Sequence, residues 1–300
     1  MKQKIAVIGL GSMGYGIASS CLRSGNAVWG VDIDIKQVKR FWSLGGQKSQ
    51  LDSAIKDIDV VIVVVLNSIQ TESVLFSGSD GGVVACLKPG SVVISCATVA
   101  PNFAKEMELR CKKFGVLYLD APVSGGALKA ANGQLSIMAS GSKEAFRCAQ
   151  KTLNSISETV FELGYEAGAG SAMKAVNQLL AGVHISAMAE ALTFGISQGV
   201  TPAKFVEVIS KCAGTSWMLE NRAPHIVSGD YTPHSSVNIW PKDLGIVLDV
   251  AKNAKFDVPI ASAALKQFKT AVDMGLGLED DAAVAKVYAK SANLSLPKKL

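Results

Sequence analysis

The sequence predicts an α/β domain with a doubly wound parallel sheet, followed by a long connecting helix and an all-helical domain. Three observations support this fold class. Short apolar segments alternate with helical segments through the first half of the chain, which is typical of parallel strands joined by helical crossovers. A glycine-rich break spans residues 165–170. Beyond this break the strand signals largely stop, and apolar residues recur at helical spacing.

The length of the chain agrees with two domains. It has 300 residues, which is more than a single small core usually organises. We place the boundary at the glycine-rich break, so that the α/β domain covers residues 1–165 and the helical domain covers residues 166–300.

The elements of the first domain follow in order along the chain. Residues 4–8 form a buried strand, residues 14–24 a helix, and residues 27–31 a second strand. Residues 59–66 are apolar on both faces, as a central parallel strand should be. Two more strands are predicted over residues 91–95 and 115–120.

The second half is predicted to be helical throughout. The long helix covers residues 171–199, and its helical repeat is formed by Met173, Val176, Leu179, Leu180, Val183, Met188 and Leu192. Four further helices are predicted over residues 202–213, 241–254, 260–274 and 280–292. The Thr201-Pro202 pair is a typical helix start.

Composition and charge argue against several classes of protein. The net charge is +5, and the 30 basic residues are scattered, so we expect no nucleic-acid partner. The longest aliphatic run, Val60–Leu66, is far shorter than the roughly 20 residues that a membrane span needs, and the N-terminus does not resemble a signal peptide. The six cysteines form no CxxC pair. We therefore expect free thiols, no metal site and a cytoplasmic protein.

A glycine loop follows the first strand and opens the first helix. It runs Gly9-Leu10-Gly11-Ser12-Met13-Gly14, and each glycine has a role in a dinucleotide site. The first allows a tight turn, the second allows the pyrophosphate to approach the backbone, and the third allows helix and strand to pack closely. The helix N-terminus offers free N–H groups to the phosphates. This context predicts a Rossmann-type dinucleotide-binding domain.

The residue at the end of the second strand indicates which dinucleotide binds. Asp32 lies 23 positions after Gly9, close to the spacing of a carboxylate that accepts hydrogen bonds from the ribose hydroxyls. Such a carboxylate repels a 2′-phosphate, and Ile33 and Asp34 follow it rather than an arginine. Lys36, Lys39 and Arg40 lie nearby and weaken this argument. NAD is favoured over NADP.

Five ordered motifs then resemble the β-hydroxyacid dehydrogenase family, which includes 3-hydroxyisobutyrate dehydrogenase and tartronate semialdehyde reductase. They are the glycine loop, Thr98–Pro101, Asp120–Gly126 with Gly133 and Met138, Gly168-x-Gly170-x-x-x-Lys174-x-x-Asn177, and Lys242-Asp243-Leu244. Three more stretches, at residues 178–184, 216–222 and 229–234, resemble the L-threonate dehydrogenase branch of the family. The family usually has Ser-Thr before the Pro101 loop, where this chain has Ala97-Thr98.

The resemblance implies roles for individual residues. Lys174 is the candidate general acid/base, with Asn177 and Gln178 on the same helix face at i+3 and i+4. Ser124, Gly125 and Gly126 are implied to cradle the substrate carboxylate. Asn177 is implied to hydrogen-bond the carboxylate or the hydroxyl of the substrate, and Gln178 is a further implied substrate contact. The implied NAD contacts are Gly9, Leu10, Gly11, Ser12, Met13, Gly14, Asp32, Ile33, Leu66, Asn67, Thr98 and Lys242. His184 lies roughly 15 Å further along the helix than Lys174, too far for direct proton transfer.

The activity implied is NAD-dependent oxidation of a small hydroxy acid to a keto acid, with L-threonate and its product 2-dehydro-L-erythronate as the leading pair. A 3-hydroxyisobutyrate dehydrogenase or a tartronate semialdehyde reductase is the alternative within the family. A non-catalytic dinucleotide-binding scaffold is the distant alternative, which the presence of Lys174 and Asn177 disfavours. The resemblance also implies a homodimer or homotetramer formed through the helical domain.

Overall fold

The computed structural model of the protein describes residues 2–78 and 81–299. The chain divides into two compact units, Met1–Lys174 (unit 1) and Ala175–Leu300 (unit 2). The division lies within the longest helix, whereas the sequence placed a boundary between residues 165 and 166. Among the described residues, unit 1 contains two hydrophobic cores and unit 2 contains one.

Unit 1 contains a five-stranded parallel sheet in the order β2-β1-β3-β4-β5. Its strands are β1 (Lys4–Ile8), β2 (Ala27–Val31), β3 (Val60–Val63), β4 (Val92–Ser95) and β5 (Leu117–Asp120). Strand β1 pairs with β2 on one side and with β3 on the other. Successive strands are therefore added to one side of β1 and then to the other. The crevice beside the carboxyl end of β1 is the place where such sheets bind ligands.

Helices connect these strands and cover both faces of the sheet. They are α1 (Ser12–Arg23), α2 (Ile35–Ser43), α3 (Leu51–Ala54) with a 3-10 turn at Ile55–Asp57, α4 (Ser68–Phe76), α5 (Gly82–Cys86), α6 (Pro101–Lys112), α7 (Gly126–Asn132) and α8 (Lys143–Ile156). Successive strand residues enter opposite cores, because strand side chains alternate between the two faces. Ile5 and Val7 pack in one core, and Ala6 and Ile8 pack in the other. The predicted doubly wound sheet is confirmed.

A second, three-stranded sheet extends unit 1 and was not predicted. It consists of β6 (Val123–Ser124), β7 (Leu135–Ala139) and β8 (Ser157–Glu162). Strand β6 has only two residues, and β8 is a largely exposed edge strand with a polar sequence. Neither therefore carries the apolar run or the regular alternation from which a strand is recognised.

Unit 2 contains helices and no named strand among its described residues. The long helix α9 (Ala169–Ser197) begins in unit 1 and continues into unit 2. It is followed by α10 (Pro202–Ile209), α11 (Trp217–Ser228), α12 (Ile239–Asn253), α13 (Pro259–Asp273), a 3-10 turn at Asp281–Val284 and α14 (Ala285–Ser291). The predicted all-helical second domain is confirmed, and Thr201 caps α10 as expected.

Helix α11 was missed by the sequence analysis. It contains Pro224 in its interior, and an internal proline removes a backbone hydrogen bond and argues against a helix. The helix is held by Ser216, whose side chain accepts a hydrogen bond from the N–H of Leu219 at 3.0 Å. Its buried face, which includes Met218 and Ile226, packs in the core of unit 2.

Helix α9 is central to the core of unit 2. Ile185, Met188 and Leu192 on this helix are buried there, where Trp240 of α12 stacks on Phe268 of α13 with ring centroids 5.4 Å apart. Within the described residues α9 is also the single helix that is long and apolar enough to cross a membrane by length and composition alone. A core helix meets the same two criteria.

Candidate active site

The glycine loop lies between β1 and α1, and its geometry explains why two of its residues are glycine. Gly9 has a φ of +95°, and its N–H donates to the carbonyl of Val31 at 2.8 Å. A Cβ on Gly14 would lie 1.8 Å from the carbonyl oxygen of Gly9, so no larger residue fits there. The tight turn and the close helix–strand approach inferred from the sequence are both present.

Gly11 differs from the other two glycines of the loop, Gly9 and Gly14, because it faces open space. A Cβ built on it would meet no atom within 4 Å, although the backbone φ of −64° would allow a side chain. Gly11 is also the N-cap of α1, and no side chain caps the first N–H groups of this helix. The loop therefore leaves a cleared surface of backbone donors at a helix N-terminus, which suits a pyrophosphate.

Asp32 follows β2 and holds the glycine loop as well as facing the ligand crevice. The N–H of Leu10 donates to Asp32 Oδ2 at 2.6 Å, and the N–H of Asp34 donates to Oδ1 at 2.8 Å. Because a carboxylate offers about four acceptor positions, it can still accept from two ribose hydroxyls. Arg40 stacks its guanidinium on the ring of Tyr15, 4.1 Å from the centroid, so it is engaged elsewhere. The residues present fit NAD.

The other predicted cofactor residues of unit 1 follow neighbouring strands. Ile33 is fully exposed after β2, and Leu66 is exposed after β3. Asn67 caps α4, with its side-chain oxygen accepting from the N–H of Gln70 at 2.9 Å. Thr98 is half-buried after β4. All lie at the carboxyl edge of the sheet, where the two exposed aliphatic side chains can cover an adenine ring.

The Ser124-Gly125-Gly126 segment begins where β6 ends and α7 starts. Both glycines have positive φ angles, 132° and 76°. Helix α7 packs on α1, the helix of the glycine loop, and the hydroxyl of Ser20 donates to the carbonyl of Ala130 at 2.9 Å. The serine and its two glycines are therefore fixed relative to the dinucleotide loop within unit 1.

Lys174 is brought to this same segment. It lies in the second turn of α9, is only 8% exposed, and its Nζ donates to the carbonyl oxygen of Val123 at 2.9 Å. Val123 directly precedes Ser124. The fold thus holds a buried amino group beside the segment that the sequence marked as a carboxylate cradle, which is an arrangement suited to proton transfer.

A chain of hydrogen bonds in unit 2 involves the remaining predicted residues. Asn177 Nδ2 donates to Gln178 Oε1 at 2.9 Å, and Gln178 Nε2 donates to Asp243 Oδ2 at 2.5 Å. The ammonium of Lys242 lies 2.6 Å from Asp243 Oδ1. The buried carboxylate of Asp243 therefore orients both an amide on α9 and a lysine on α12.

Two buried carboxylates were not predicted as site residues, although both belong to motifs of the family resemblance. Asp120 and Asp243 are almost fully buried and hydrogen-bonded. Their signal was a charged residue inside an otherwise apolar stretch. Arg222, in a stretch typical of the L-threonate branch, is buried with its guanidinium paired to Asp281. No group of three His, Cys, Asp or Glu side chains among the described residues is placed to hold a metal ion.

The class of protein is a nicotinamide dinucleotide-dependent dehydrogenase. It is defined by the doubly wound sheet, by the glycine loop with Asp32, and by the buried Lys174. The profile of the NAD binding domain of 6-phosphogluconate dehydrogenase matches residues 4–164. That of the NAD-binding region of NADP-dependent 3-hydroxyisobutyrate dehydrogenase matches residues 168–288. The chain belongs to the 3-hydroxyisobutyrate dehydrogenase-related family of β-hydroxyacid dehydrogenases. It is an NAD-dependent dehydrogenase acting on a CH–OH group, as the sequence predicted.

Individual relatives extend this similarity over the whole chain. An L-threonate dehydrogenase from Cupriavidus necator is 47% identical over 96% of this chain and 97% of its own. An L-threonate dehydrogenase from Escherichia coli O6:H1 is 43% identical over 95% of this chain and 94% of its own. The crystal structure of a 3-hydroxyisobutyrate dehydrogenase from Salmonella typhimurium is 41% identical, with a TM-score of 0.89 over 95% of this chain and 100% of its own.

Proposed function

We propose that the protein oxidises L-threonate with NAD⁺, giving 2-dehydro-L-erythronate. The observation that carries this proposal is the position of Lys174, whose buried amino group contacts the carbonyl of Val123 immediately before the Ser124-Gly125-Gly126 segment. The choice of L-threonate rests on the relatives of that name, which are 43% and 47% identical along nearly the whole chain.

The residues of the site divide the work of binding and proton transfer. The hydroxyl of Ser124 and the N–H groups of the two following glycines, which have positive φ angles at the start of α7, bind the substrate carboxylate. In the oxidation, Lys174 Nζ acts as a neutral amine that takes the proton of the substrate hydroxyl and becomes an ammonium, and in the reverse direction this ammonium donates the proton to the forming alkoxide. Asn177 and Gln178, oriented through Asp243, hydrogen-bond the substrate beside the lysine.

NAD⁺, when bound, accepts the hydride that leaves the alcohol carbon. The glycine loop, Gly9–Gly14, binds the pyrophosphate, and Asp32 accepts hydrogen bonds from the adenosine ribose. Ile33, Leu66, Asn67 and Thr98 line the crevice at the carboxyl edge of the sheet. The family resemblance implies Lys242 as a further NAD contact. Residues 1–165 thus act as the NAD-binding domain, and residues 166–300 as the substrate and oligomerisation domain.

The experiment follows NADH formation at its absorbance band with a panel of hydroxy acids that includes L-threonate, D-threonate, 3-hydroxyisobutyrate and glycerate. We expect L-threonate to give the highest kcat/KM. Lys174→Ala should lower kcat by at least about 10²-fold, the usual contribution of a positioned acid/base group, with NAD binding retained. Lys151→Ala, which removes an exposed lysine from α8, is the control and should be fully active.

The same panel separates the alternatives. A preference for 3-hydroxyisobutyrate, the substrate in the name of the Salmonella typhimurium relative, or for reduction of tartronate semialdehyde would replace L-threonate but leave the mechanism standing. A protein that binds NAD and turns over no hydroxy acid would be a scaffold. Full activity of Lys174→Ala would refute the assigned proton transfer.

We also infer that the chain forms a homodimer or homotetramer through its helical domain. Val176, Leu180 and Phe194 on α9 are large apolar side chains that are about half or more exposed, and they recur at spacings that place them on one side of the helix. Size-exclusion chromatography with light scattering tests this inference. A wild-type monomer, or an oligomer that survives Leu180→Arg together with Phe194→Arg, would contradict it.

The cytoplasm is the compartment we assign. All six cysteines are free thiols, which is the usual state in a reducing compartment. Cell fractionation tests this assignment, and recovery of the protein outside the cytoplasmic fraction would contradict it.

A further inference from the structure

A buried carboxylate at the end of β5 is not explained by substrate or cofactor binding. Asp120 is 1% exposed. It is the last residue of β5 and lies outside the glycine loop. Taking a carboxylate out of water is costly unless hydrogen bonds compensate for the lost hydration. Its partners therefore indicate what it is for.

The partners of Asp120 are the backbone and one side chain at the start of α9, together with one strand-end serine. Oδ2 accepts from the N–H of Gly168 at 2.9 Å, from the N–H of Ser171 at 2.8 Å and from the hydroxyl of Ser140 at 3.4 Å. Oδ1 accepts from the hydroxyl of Ser171 at 2.6 Å. The carboxylate thus caps the N-terminus of α9 from another element of the fold.

The backbone around this cap leaves no room for adjustment. The N–H of Gly170 donates to Ser140 Oγ at 2.9 Å, and a Cβ on Gly170 would lie 2.4 Å from the carbonyl oxygen of Met138 and 2.7 Å from that of Asp120. The first turn of α9 therefore lies directly on the ends of β5 and β7. This contact explains Gly170, whereas Gly168 is required by its φ of +108° and by the approach of Lys105 and Pro101.

The segment that begins with Asp120 holds Lys174 as well as the helix start. Lys174 follows Ser171 by one helical turn, and its Nζ donates to the carbonyl of Val123, three residues after Asp120. One five-residue stretch, Asp120–Ser124, therefore fixes the helix backbone, accepts from the lysine and supplies the serine of the proposed carboxylate cradle.

We propose that Asp120 is a positioning residue that, by capping α9 at Gly168 and Ser171, sets the place of Lys174 Nζ relative to Ser124. This inference rests on the proposed proton transfer by Lys174. A displacement of about 1 Å can cost about 10²-fold in rate, so the cap acts on turnover and leaves dinucleotide binding at the glycine loop unchanged. Asp120 itself contacts neither substrate nor cofactor.

Two substitutions separate the hydrogen bonds of this cap from its charge. Asp120→Ala removes all four bonds. Asp120→Asn keeps an acceptor for the two N–H groups, because its oxygen can take the Oδ2 position while its NH₂ donates to the hydroxyl of Ser171. The control is Ser142→Ala, which removes the cap of α8, where Ser142 Oγ accepts from the N–H of Ala145 at 3.2 Å. It weakens another helix of the same unit.

The measurements are kcat and KM with the best substrate of the panel, the Kd for NADH by fluorescence, and hydrogen–deuterium exchange of peptides covering residues 168–178. For Asp120→Ala we expect faster exchange in that peptide, an unchanged Kd for NADH, and a kcat lowered between about tenfold and 10²-fold. Asp120→Asn should show the same pattern with a smaller loss of kcat. Ser142→Ala should lower Tm without changing kcat or the exchange of residues 168–178.

The outcomes distinguish this inference from the proposed function. If Lys174→Ala is inactive while either Asp120 variant loosens residues 168–178 and keeps kcat within about twofold of wild type, the positioning role is refuted and the proton transfer stands. A lowered kcat with unchanged exchange would also refute it. If Asp120→Ala does not fold, Asp120→Asn alone decides. Full activity of Lys174→Ala would instead overturn the proposed function.

Discussion

The preference for NAD over NADP provides the sharpest test of the site in unit 1, through the substitution Asp32→Ser. In the wild type, the carboxylate accepts from the N–H of Leu10 at 2.6 Å and from that of Asp34 at 2.8 Å, which leaves acceptor positions for both ribose hydroxyls. The shorter serine side chain removes the charge and the bidentate geometry. It also releases Leu10, which should weaken both cofactors alike.

The expected magnitude follows from two effects. Each charge-assisted hydrogen bond to a ribose hydroxyl contributes roughly 1.5–3 kcal/mol, so at the lower end for a half-exposed site the loss of two lowers kcat/KM for NAD by about 10²-fold. Removing the repulsion between the carboxylate and a 2′-phosphate, about 1–4 kcal/mol for unit charges about 4 Å apart, raises kcat/KM for NADP by at least about fivefold. The ratio of the two therefore falls by about 10³-fold.

The assay compares kcat/KM for the two cofactors at saturating hydroxy acid and fixed ionic strength, because exposed charges are screened by salt. The ratio is the decisive quantity, since weakening of the glycine loop cancels in it. Asp34→Ser is the matched control, because it removes a carboxylate from the same loop while serine can still cap α2. If Asp32→Ser kept the wild-type ratio, or if Asp34→Ser changed it equally, the assigned role of Asp32 would be wrong.

Three further predictions test other parts of the structure. Gly11→Ala should fold normally but weaken NADH binding by at least about tenfold in a fluorescence titration, since its Cβ meets only ligand space, whereas Gly14→Ala should also lower Tm; equal effects on Tm would contradict this. Arg222→Met should lower the free energy of unfolding in urea by about 3–5 kcal/mol, because it removes the cation paired with the buried carboxylate of Asp281. A change below about 1 kcal/mol would contradict the buried pair. Burial raises the pKa of Cys96 from 9.0 to about 12. As the pH rises, the thiol therefore loses its proton in the unfolded state before it does so in the folded state. The contribution of Cys96 to stability should therefore be constant below about pH 9 and fall as the pH rises toward 12. Substitution of this cysteine by alanine should make the decline shallower, and an unchanged slope would contradict the assignment.

The sequence alone determined the fold class and the dinucleotide site, because both depend on local patterns. Strands β1 and β2 have the predicted bounds, residues 4–8 and 27–31. The glycine loop is recognisable because Gly9 and Gly14 answer local steric demands and Gly11 leaves open space above the backbone. Asp32 is recognisable by its distance along the chain. Elements without a local signal were missed, as with two-residue β6 and with α11, whose internal Pro224 suggests a break.

Lys174 shows what the sequence predicts and what requires the tertiary structure. Its motif marked it among the many lysines of the chain, but the motif could not say what holds it. Only the tertiary structure brings it within 2.9 Å of the carbonyl of Val123 and places Asp120 at the helix start. These contacts join residues about 50 positions apart, and their geometry depends on how β5, β7 and α9 pack, which no local pattern encodes.

Asp32 was predicted from the sequence, whereas the roles of Asp120 and Asp243 depend on tertiary contacts. A residue that contacts a ligand through a short motif has a fixed place in the sequence, so the spacing of Asp32 from the glycine loop is enough to assign it. A residue that acts by orienting another side chain is defined by burial and by partners distant in the chain. The sequence by itself determined which chemistry this protein performs with NAD, and the tertiary structure alone decided which buried groups hold the proposed proton-transfer residue and amides in place.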